Sequence, residues 1–312
     1  MGEISLGARG MNEMTTARYE EVLSCVLCSS GRESHSFFES VPVADGEIDY
    51  VLCQRCGMIF QSPRISAEEL AAFYVDGYRK FVQGSEEPIE KDVRVQKGRA
   101  VHLVDFAKSV IPEVKRSLDI GSSTGSLLHA LQEAYGCAGT GIEPGQAYRE
   151  YSRANGLSTF GDLSDLGESA RHSFDLITMA HVLEHLSDPV NFLKNLKEHW
   201  ISNAGSLLIE VPNLFGHQAF ERSHLFAFST QLIKEILRQA GFSVRKLWVH
   251  GKPRSLLIPL YITVLASPAE NSTMRNIRSS SSGIRRRRKM GMLWRRLVTK
   301  FAARWAWLPW PE

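Results

Sequence analysis

Short apolar segments alternate with amphipathic segments through the middle of this 312-residue chain. The amphipathic segments repeat with the period of a helix, whereas the apolar segments are typical of buried strands. Apolar strands that alternate with helices form a parallel sheet covered on both faces, because each crossover helix must lie on one side of the sheet. We therefore predict an α/β fold with a Rossmann-like doubly wound sheet. The predicted strands are 117–120, 138–143, 157–160, 174–183, 206–212, 244–250 and 256–266, and the predicted helices are 126–136, 146–155, 188–200 and 229–240.

A glycine-rich turn, Gly121-Ser-Ser-Thr-Gly125, follows the first predicted strand. Glycines at this place let the backbone approach a ligand closely, and the N-terminus of the next helix faces the same crevice. Glu143 ends the second predicted strand, where an acidic side chain can bind both hydroxyls of a ribose. The third glycine of the dinucleotide fingerprint is missing, which disfavours tight pyrophosphate binding. A plain turn and a solvated acid are the alternatives, but the two features together favour a ribose-containing ligand.

Four of the five cysteines form two pairs near the N-terminus, and two residues separate the members of each pair. Such a pair lets one tight turn present two thiolates to a metal, and two pairs complete a tetrahedral zinc site. The segment between the pairs contains a predicted hairpin around 44–46, as a zinc ribbon requires. Four ligands leave no open position, so the zinc would be structural; free thiols and redox pairs are the alternatives. The predicted ligands are Cys25, Cys28, Cys53 and Cys56, whereas Cys137 is expected in the core.

The formal net charge of +3 combines two segments of opposite sign. Residues 269–312 contain 11 basic and 2 acidic residues, whereas residues 1–268 contain 26 basic and 32 acidic residues. A basic amphipathic helix with tryptophans is typical of an anchor on an anionic membrane surface. A helix docked on its own domain, a solvated tail and a nucleic-acid-binding segment are the alternatives. The apolar stripe of this tail comprises Leu293, Trp294, Leu297, Val298, Phe301, Ala302 and Trp305.

The N-terminal sequence does not resemble a secretory signal peptide, because it has acidic residues where a signal peptide would be basic and no apolar segment follows. The longest apolar stretch, 256–266, is too short to span a bilayer. Five cysteines in a chain of this size do not suggest a disulfide framework. We expect a cytoplasmic protein, with a peripheral position on the inner membrane face if the tail is an anchor.

Four segments, SLDIGSSTGSLL, GIEP, FDLITMAHVLEHLSDP and GSLLIEVPN, resemble in order and spacing the motifs of class I S-adenosylmethionine-dependent methyltransferases. The N-terminal cysteine pairs, with YVLCQRCGMIFQSPR, resemble the subgroup that has an N-terminal zinc-binding module and is often associated with sugar or glycan methylation. The resemblance implies a seven-stranded sheet whose last strand is antiparallel. It also implies two cofactors, S-adenosyl-L-methionine and structural Zn²⁺.

The same resemblance implies a role for individual residues in binding S-adenosylmethionine. The methionine part would contact the first turn, Glu143 would bind the ribose hydroxyls and Pro144 would contact the adenine. Asp162 and Leu163 match the position that binds the adenine amino group, and His181 would lie beside the cofactor. The residues that would line the methionine part are Asp119, Gly121, Ser123 and Gly125.

Methyl transfer to a hydroxyl benefits from a base, and histidine is suited to that role near neutral pH. His224 is the preferred candidate, because it lies in a loop at the carboxyl end of the predicted sheet and matches a histidine of related enzymes. A loop histidine that only hydrogen-bonds the backbone is the alternative. Glu184 and His185 are the other catalytic candidates, and ordering of the loop is their alternative role. A metal site at His181 and His185 is disfavoured, since the spacing is not the H-E-x-x-H motif.

We expect five regions: a disordered N-terminus (1–20), the zinc ribbon (21–64), a helical linker or lid (65–112), the methyltransferase domain (113–268) and the basic tail (269–312). Tyr74 and Tyr78 in the linker would cover the site or pack as core aromatics. The expected function is methylation of a small-molecule, sugar or glycan acceptor at oxygen or carbon. An RNA or protein methyltransferase and a non-catalytic binding protein are the alternatives. The sequence leaves the oligomeric state open.

Overall fold

The computed structural model describes residues 19–43, 46–66, 68–70, 84–218, 223–269 and 281–308. The interpretations of residues 1–18, of Tyr74 and Tyr78 and of Trp310 therefore lie outside the described residues. The first strand in the described part of the chain is β1 (Tyr19–Glu20), which pairs with β5 (Arg64–Ile65) in a two-stranded sheet.

The cysteine-containing segment folds around a β-hairpin. β2 (His35–Val43) and β3 (Gly46–Cys53) are antiparallel, and β4 (Ile59–Gln61) pairs with β3 after a tight turn. The hairpin expected around residues 44–46 is therefore present. One cysteine pair precedes β2 and the other follows the hairpin, so the fold brings the two pairs together.

A seven-stranded sheet forms the centre of the molecule. Its order is β12-β13-β10-β9-β6-β7-β8, and β13 is antiparallel to both of its neighbours. The pairs from β10 to β8 are all parallel. This is the doubly wound sheet predicted from the sequence, with the antiparallel last strand that the resemblance implies. The strands are β6 (Arg116–Ile120), β7 (Ala138–Ile142), β8 (Ser158–Phe160), β9 (Phe174–Ala180), β10 (Ile201–Pro212), β12 (Phe242–His250) and β13 (Tyr261–Pro268).

Successive strand residues point to opposite faces of this sheet, and helices bury the apolar side chains on both faces. On one face, Leu176 of β9 and Leu208 of β10 lie in a buried cluster with residues of α1 and α2. On the other face, Ile177 and Leu207 pack with α4 and α5. The helices are α1 (Glu90–Lys108), α2 (Ser126–Tyr135), α3 (Gln146–Ala154), α4 (Pro189–His199) and α5 (Thr230–Gln239).

Side-chain caps fix the beginnings of two helices. The Asp188 side chain accepts a hydrogen bond from the Asn191 N–H at 3.0 Å, and Pro189 occupies the first turn of α4. The Ser229 hydroxyl accepts from the Leu232 N–H at 3.3 Å at the start of α5. These contacts satisfy backbone donors that no helical carbonyl can reach, which explains why the predicted boundaries are close to the observed ones.

Two predicted strands are longer than those observed. The strand predicted over 174–183 ends at Ala180, because His181 has a positive φ of 58° and turns the chain. The strand predicted over 256–266 begins only at Tyr261. The Ser255 hydroxyl accepts from the N–H of Leu257 and of Ile258, and this local turn replaces the strand pairing.

Residues 281–308 of the basic tail contain two helices, α6 (Ile284–Phe301) and the short α7 (Ala303–Ala306). One face of α6 lies against the rest of the protein, and Arg288 on that face is only 5% exposed. Its guanidinium pairs with Glu39 at 3.0 Å and donates to the carbonyls of Leu214, His217 and Gln218. Val298 and Ala306 are buried with Ile258, Leu260 and Tyr261. One face of α6 is therefore docked on the protein, whereas membrane binding by the exposed remainder of the helix stays a prediction.

Across the described part of the chain, no helix combines the length and the apolar character that crossing a membrane requires.

Candidate active site

The glycine turn lies at the carboxyl end of β6 and is tied to the next strand. The N–H groups of Gly121 and Ser122 both donate to the Ile142 carbonyl, at 2.8 and 2.9 Å. Gly121 and Gly125 have φ values of 71° and 76°, which disfavour any side chain. A Cβ at Gly121 would lie 2.5 Å from Val182 Cγ2, and a Cβ at Gly125 would lie 2.0 Å from Leu157 Cδ1. The turn therefore needs glycine for both conformation and space.

Two buried carboxyl groups flank the turn. Asp119 accepts a hydrogen bond from the Thr178 hydroxyl at 2.6 Å, and burial raises the pKa of Asp119 to about 7. Glu143 is also buried, and it accepts from the N–H of Ser123 at 2.8 Å and of Gly145 at 3.0 Å. Backbone donors hold the Glu143 carboxylate at the end of β7, where a ribose diol could add further hydrogen bonds. This arrangement fits the nucleoside end of S-adenosylmethionine.

Helix α1 lies beside the turn and contributes polar groups that sequence reasoning missed. The Gln96 amide donates to Ser123 Oγ at 2.8 Å and accepts from Thr124 Oγ1 at 2.8 Å. It also donates to Asp92 at 2.9 Å, and Asp92 accepts from the Tyr148 hydroxyl. These residues lie on separate elements, so no local sequence pattern connects them with the turn.

The remaining predicted cofactor residues lie at the same edge of the sheet. Pro144 is half-buried, and Leu163 packs against the main core. Asp162 is exposed, and its side chain accepts from the Ser164 N–H at 2.8 Å. That contact caps a short 3₁₀ helix over Leu163–Asp165. The roles of these three residues in binding adenine stay predictions.

A network of buried charges centres on His181, just after β9. Its Nδ1 lies 3.3 Å from Glu184 Oε1, and its Nε2 lies 3.2 Å from Glu210 Oε1. Arg99 Nε from α1 lies 3.1 Å from the same Glu210 oxygen. Burial and Arg99 oppose protonation of His181, but the contacts with the two glutamates prevail and raise its pKa. Burial alone would raise the pKa of Glu184, yet the contact with His181 lowers it to about 2.

Glu210 was not predicted as a site residue, although the sequence contains a signal for it. It is the one acidic residue in the apolar segment SLLIEVP, and a buried charge of this kind needs partners. It is 1% exposed and accepts from Thr263 Oγ1 at 3.0 Å in addition to its contacts with His181 and Arg99.

The three predicted catalytic residues come together at this edge. The rings of His185 and His224 are 4.8 Å apart in an edge-to-face arrangement, and His224 Nε2 lies 4.0 Å from Glu184 Oε1. Burial, together with the nearby His185, lowers the pKa of His224 to about 3. His224 is therefore neutral near pH 7, while Glu184 is ionised. His185 Nδ1 lies 2.8 Å from the Ser223 carbonyl, so this histidine also orders the loop that contains His224.

The N-terminal module holds the His224 loop in place. β11 (Phe226–Ala227) pairs with β4. The loop therefore supplies the fourth strand of the sheet formed by β2, β3 and β4, which we call the ribbon sheet. Gln61 Nε2 donates to the His224 carbonyl at 2.8 Å, and the Tyr50 hydroxyl donates to the same oxygen. No sequence pattern connects these residues, because more than 160 positions separate them.

The four paired cysteines converge. Their sulfurs all lie within 4.8 Å of one another. Cys25 Sγ is 3.5 Å from Cys56 Sγ, and Cys28 Sγ is 3.6 Å from Cys53 Sγ. A tetrahedral zinc with bonds of about 2.3 Å would place its sulfurs about 3.8 Å apart, so the donor set fits zinc. Cys137, by contrast, is buried beside Ser117, as expected for a core residue.

Comparisons with known proteins show a family for the central part of the chain and similar folds. Residues 93–247 match the family described as a methyltransferase domain. No curated protein matches the sequence. A solved structure of Burkholderia thailandensis 1,6-didemethyltoxoflavin-N1-methyltransferase, with bound 1,6-didemethyltoxoflavin and S-adenosylhomocysteine, is similar in fold. The TM-score is 0.55 at 17% identity, covering 75% of this chain and 100% of that one.

Two further S-adenosylmethionine-dependent methyltransferases are more distant. The protein from Clostridium acetobutylicum has a TM-score of 0.46 at 15% identity, covering 62% of this chain and 99% of that one. The protein from Mesorhizobium loti has a TM-score of 0.43 at 15% identity, covering 52% and 95%.

Residues 93–247 thus form a methyltransferase domain, so the prediction of a methyltransferase is confirmed, and the fold agrees with the one predicted from the sequence.

Proposed function

We propose that this methyltransferase acts on a hydroxyl or an acidic carbon of a small-molecule, sugar or glycan acceptor, with His224 as the proton acceptor. The observation that supports the proposal most directly is the pairing of neutral His224 with ionised Glu184 at the edge of the sheet that holds the glycine turn. Val182 connects the two features, because it packs on Gly121 and lies two residues before Glu184.

When bound, S-adenosylmethionine supplies a methyl group that is already activated by a sulfonium. This chain's own residues must therefore bind the nucleoside, align the acceptor and accept its proton. Glu143 is placed for the ribose hydroxyls, and the backbone of Gly121 and Ser123 borders the same space.

His224 is suited to accept a proton only while the new bond to the methyl group forms. Its pKa of about 3 keeps it neutral before reaction, so a hydroxyl would not lose its proton to His224 in advance. As the acceptor oxygen bonds to the methyl carbon, its acidity rises sharply and the proton can pass to the imidazole. The nearby Glu184 carboxylate then stabilises the imidazolium that results.

The buried network behind His181 fixes Glu184 in this position. Two carboxylates, Glu184 and Glu210, face Arg99 and the His181 imidazole, whose raised pKa favours its protonated form. These opposite charges compensate each other without bulk water. The carboxylate of Glu184 therefore stays ionised despite full burial.

We also propose that the four-cysteine cluster binds a structural zinc ion. The sulfur distances of 3.5 and 3.6 Å and a donor set of four thiolates support a closed tetrahedral site. Zinc there would rigidify the module whose Gln61 and Tyr50 hold the His224 carbonyl. The metal would thus support catalysis by positioning and would not contact the acceptor.

A methyl-transfer screen with tritiated S-adenosylmethionine tests the proposed function. Sugar nucleotides, lipid-linked glycans and bulk RNA are each incubated with the wild-type protein and with His224→Gln. We expect label in a sugar-containing or other small acceptor, and its loss in the variant while calorimetry shows unchanged cofactor affinity. Transfer to RNA that is equally fast in His224→Gln would contradict the proposal and favour the nucleic-acid alternative.

A further inference from the structure

Helix α6 presents three different faces along its length. Each residue of an α-helix is rotated by about 100° from the one before it. One face of α6 therefore comprises Ile284, Arg288, Arg295 and Val298. Three of these four are buried, and Arg295 donates to the Gly216 carbonyl at 2.7 Å. This face is docked on the protein, so the orientation of the other two is fixed.

A second face, centred about 130° around the helix from the docked one, is apolar. Its five side chains are 44% to 74% exposed and occupy a continuous arc of about 100° on the helix. Two exposed leucines of the neighbouring loop extend this surface, since Trp294 Nε1 donates to the Leu257 carbonyl and the Leu256 N–H donates to the carbonyl of Trp305. We call this surface the outer apolar face; it comprises Leu256, Leu257, Met290, Leu293, Trp294, Leu297, Phe301 and Trp305.

Basic side chains border the outer apolar face. Most of them lie on the helix between the docked face and the apolar face, and all of them are exposed. Helix α6 contains no acidic residue. The bordering residues are Arg286, Arg287, Lys289, Arg296 and Lys300.

We propose that the outer apolar face and its basic border form a surface that binds an anionic lipid bilayer. A helix that lies in the membrane interface needs apolar side chains for the acyl region, flanking cations for anionic headgroups and tryptophans at the boundary. The outer face of α6 has all three. Charge favours a bilayer over a second copy of this chain, because two copies facing each other here would bring their arginines together.

This surface lies next to the active-site edge of the protein. Arg288 and Arg295 bind carbonyls of the segment 214–218, which follows β10. In that segment the ring of His217 is 5.8 Å from Tyr261, whose ring is 5.3 Å from His181. Binding of the bilayer by α6 would therefore hold the acceptor side of the sheet near the membrane surface.

Sedimentation with vesicles tests this inference on the full-length protein. Vesicles of phosphatidylcholine are compared with vesicles that also contain phosphatidylglycerol, at low and high salt. We expect wild-type protein to bind the anionic vesicles, with binding weakened by salt and reduced about ten-fold in the double variant Leu297→Asp, Phe301→Asp. The fluorescence of Trp294 and Trp305 should shift to shorter wavelength on binding.

A matched double variant, Leu23→Asp with Val101→Asp, changes two equally exposed apolar side chains elsewhere and should bind vesicles normally. Both double variants should keep the wild-type Tm and cofactor affinity, because none of the four side chains is buried. Equal vesicle binding by the Leu297, Phe301 variant would overturn the inference. So would a wild-type dimer in light scattering that this variant dissociates, or RNA binding without vesicle binding.

Discussion

Gln61 of the N-terminal module donates a hydrogen bond of 2.8 Å to the backbone carbonyl of His224, the proposed proton acceptor. Tyr50 donates to the same oxygen, and Gln61 also donates to the Tyr50 hydroxyl at 3.0 Å. The module thus takes part in the architecture of the active site, although it supplies no group that we place on the acceptor.

Gln61→Leu should therefore reduce turnover. Removing the amide leaves the His224 carbonyl with one donor fewer in a buried setting, which costs about 1–3 kcal/mol locally and loosens the loop. We expect kcat to fall roughly ten-fold, with the Kd for S-adenosylmethionine unchanged by calorimetry. Gln54→Leu is the control, because this glutamine is on the exposed surface of the same module. An unchanged kcat in Gln61→Leu would show that the contact is dispensable.

The variants His224→Ala and Glu184→Gln should distinguish the proton acceptor from the carboxylate that stabilises its protonated form. Loss of a positioned base typically lowers the rate about 10²- to 10⁴-fold, so single-turnover methyl transfer by His224→Ala should fall in that range. Glu184→Gln should lower the rate less, because the imidazole remains but its imidazolium loses a nearby negative charge. Single-turnover rates that are equal in wild type and Glu184→Gln would remove Glu184 from the mechanism.

Gly121→Ala should weaken cofactor binding. The new Cβ would lie 2.5 Å from Val182 and would strain a φ of 71°. Displacing the turn should raise the Kd for S-adenosylmethionine at least about ten-fold, equivalent to roughly 1.4 kcal/mol. Gly136→Ala is a matched control, since its φ is 67° and no atom lies within 4 Å of the position that a Cβ would take there. That variant should lose about 1–2 kcal/mol of stability while its cofactor affinity is unchanged.

Zinc removal should unfold the N-terminal module. Zinc contributes on the order of 10 kcal/mol to the folding of small four-ligand sites, so a strong chelator should release one zinc per chain and lower the Tm. Cys25→Ser and Cys53→Ser should purify with less metal, as measured by atomic emission. Cys137→Ser should keep its metal, because Cys137 lies in a separate buried cluster. Metal-free wild-type protein with a normal Tm would contradict a structural zinc.

The half-buried His217 should make stability depend on pH. Burial lowers the pKa of His217 from 6.5 to about 3, so the unfolded chain binds its proton more readily than the folded one. Its contribution to stability is therefore present above pH 6.5 and is lost as the pH falls towards 3. As the pH falls from 6.5 towards 3, the difference in unfolding free energy between wild type and His217→Gln should decrease by about 1.4 kcal/mol per pH unit. Denaturant titrations at several pH values measure the difference, and a constant difference would show that the pKa of His217 is not lowered.

The sheet could be predicted because its signals are local. Apolar strands, Gly121 and Gly125, and the capping residue Asp188 each fix one element through nearby residues. The same holds for Glu143, whose place at a strand end follows from the alternation of strands and helices. These residues define the cofactor edge of the sheet without reference to distant segments.

The rest of the site depends on contacts between distant segments, which a single sequence does not display. Gln96 reaches the turn from α1, and Tyr50 reaches His224 from the module. The tail shows the same limit, because the predicted apolar stripe also included Val298 and Ala302, which pack against the protein and not on the exposed face. Arg288 faces the protein, since carbonyls of the segment 214–218 and Glu39 compensate its charge.

Strand β11 also has a consequence for the order of events during synthesis. The ribbon sheet takes its last strand from Phe226–Ala227, whereas its other three strands end at Gln61. Domains generally fold from the N-terminus as the ribosome releases them. Here the cysteine-containing module, which is translated before the central sheet, stays one strand short until most of that sheet has also left the ribosome. It is therefore completed later than its position in the sequence suggests.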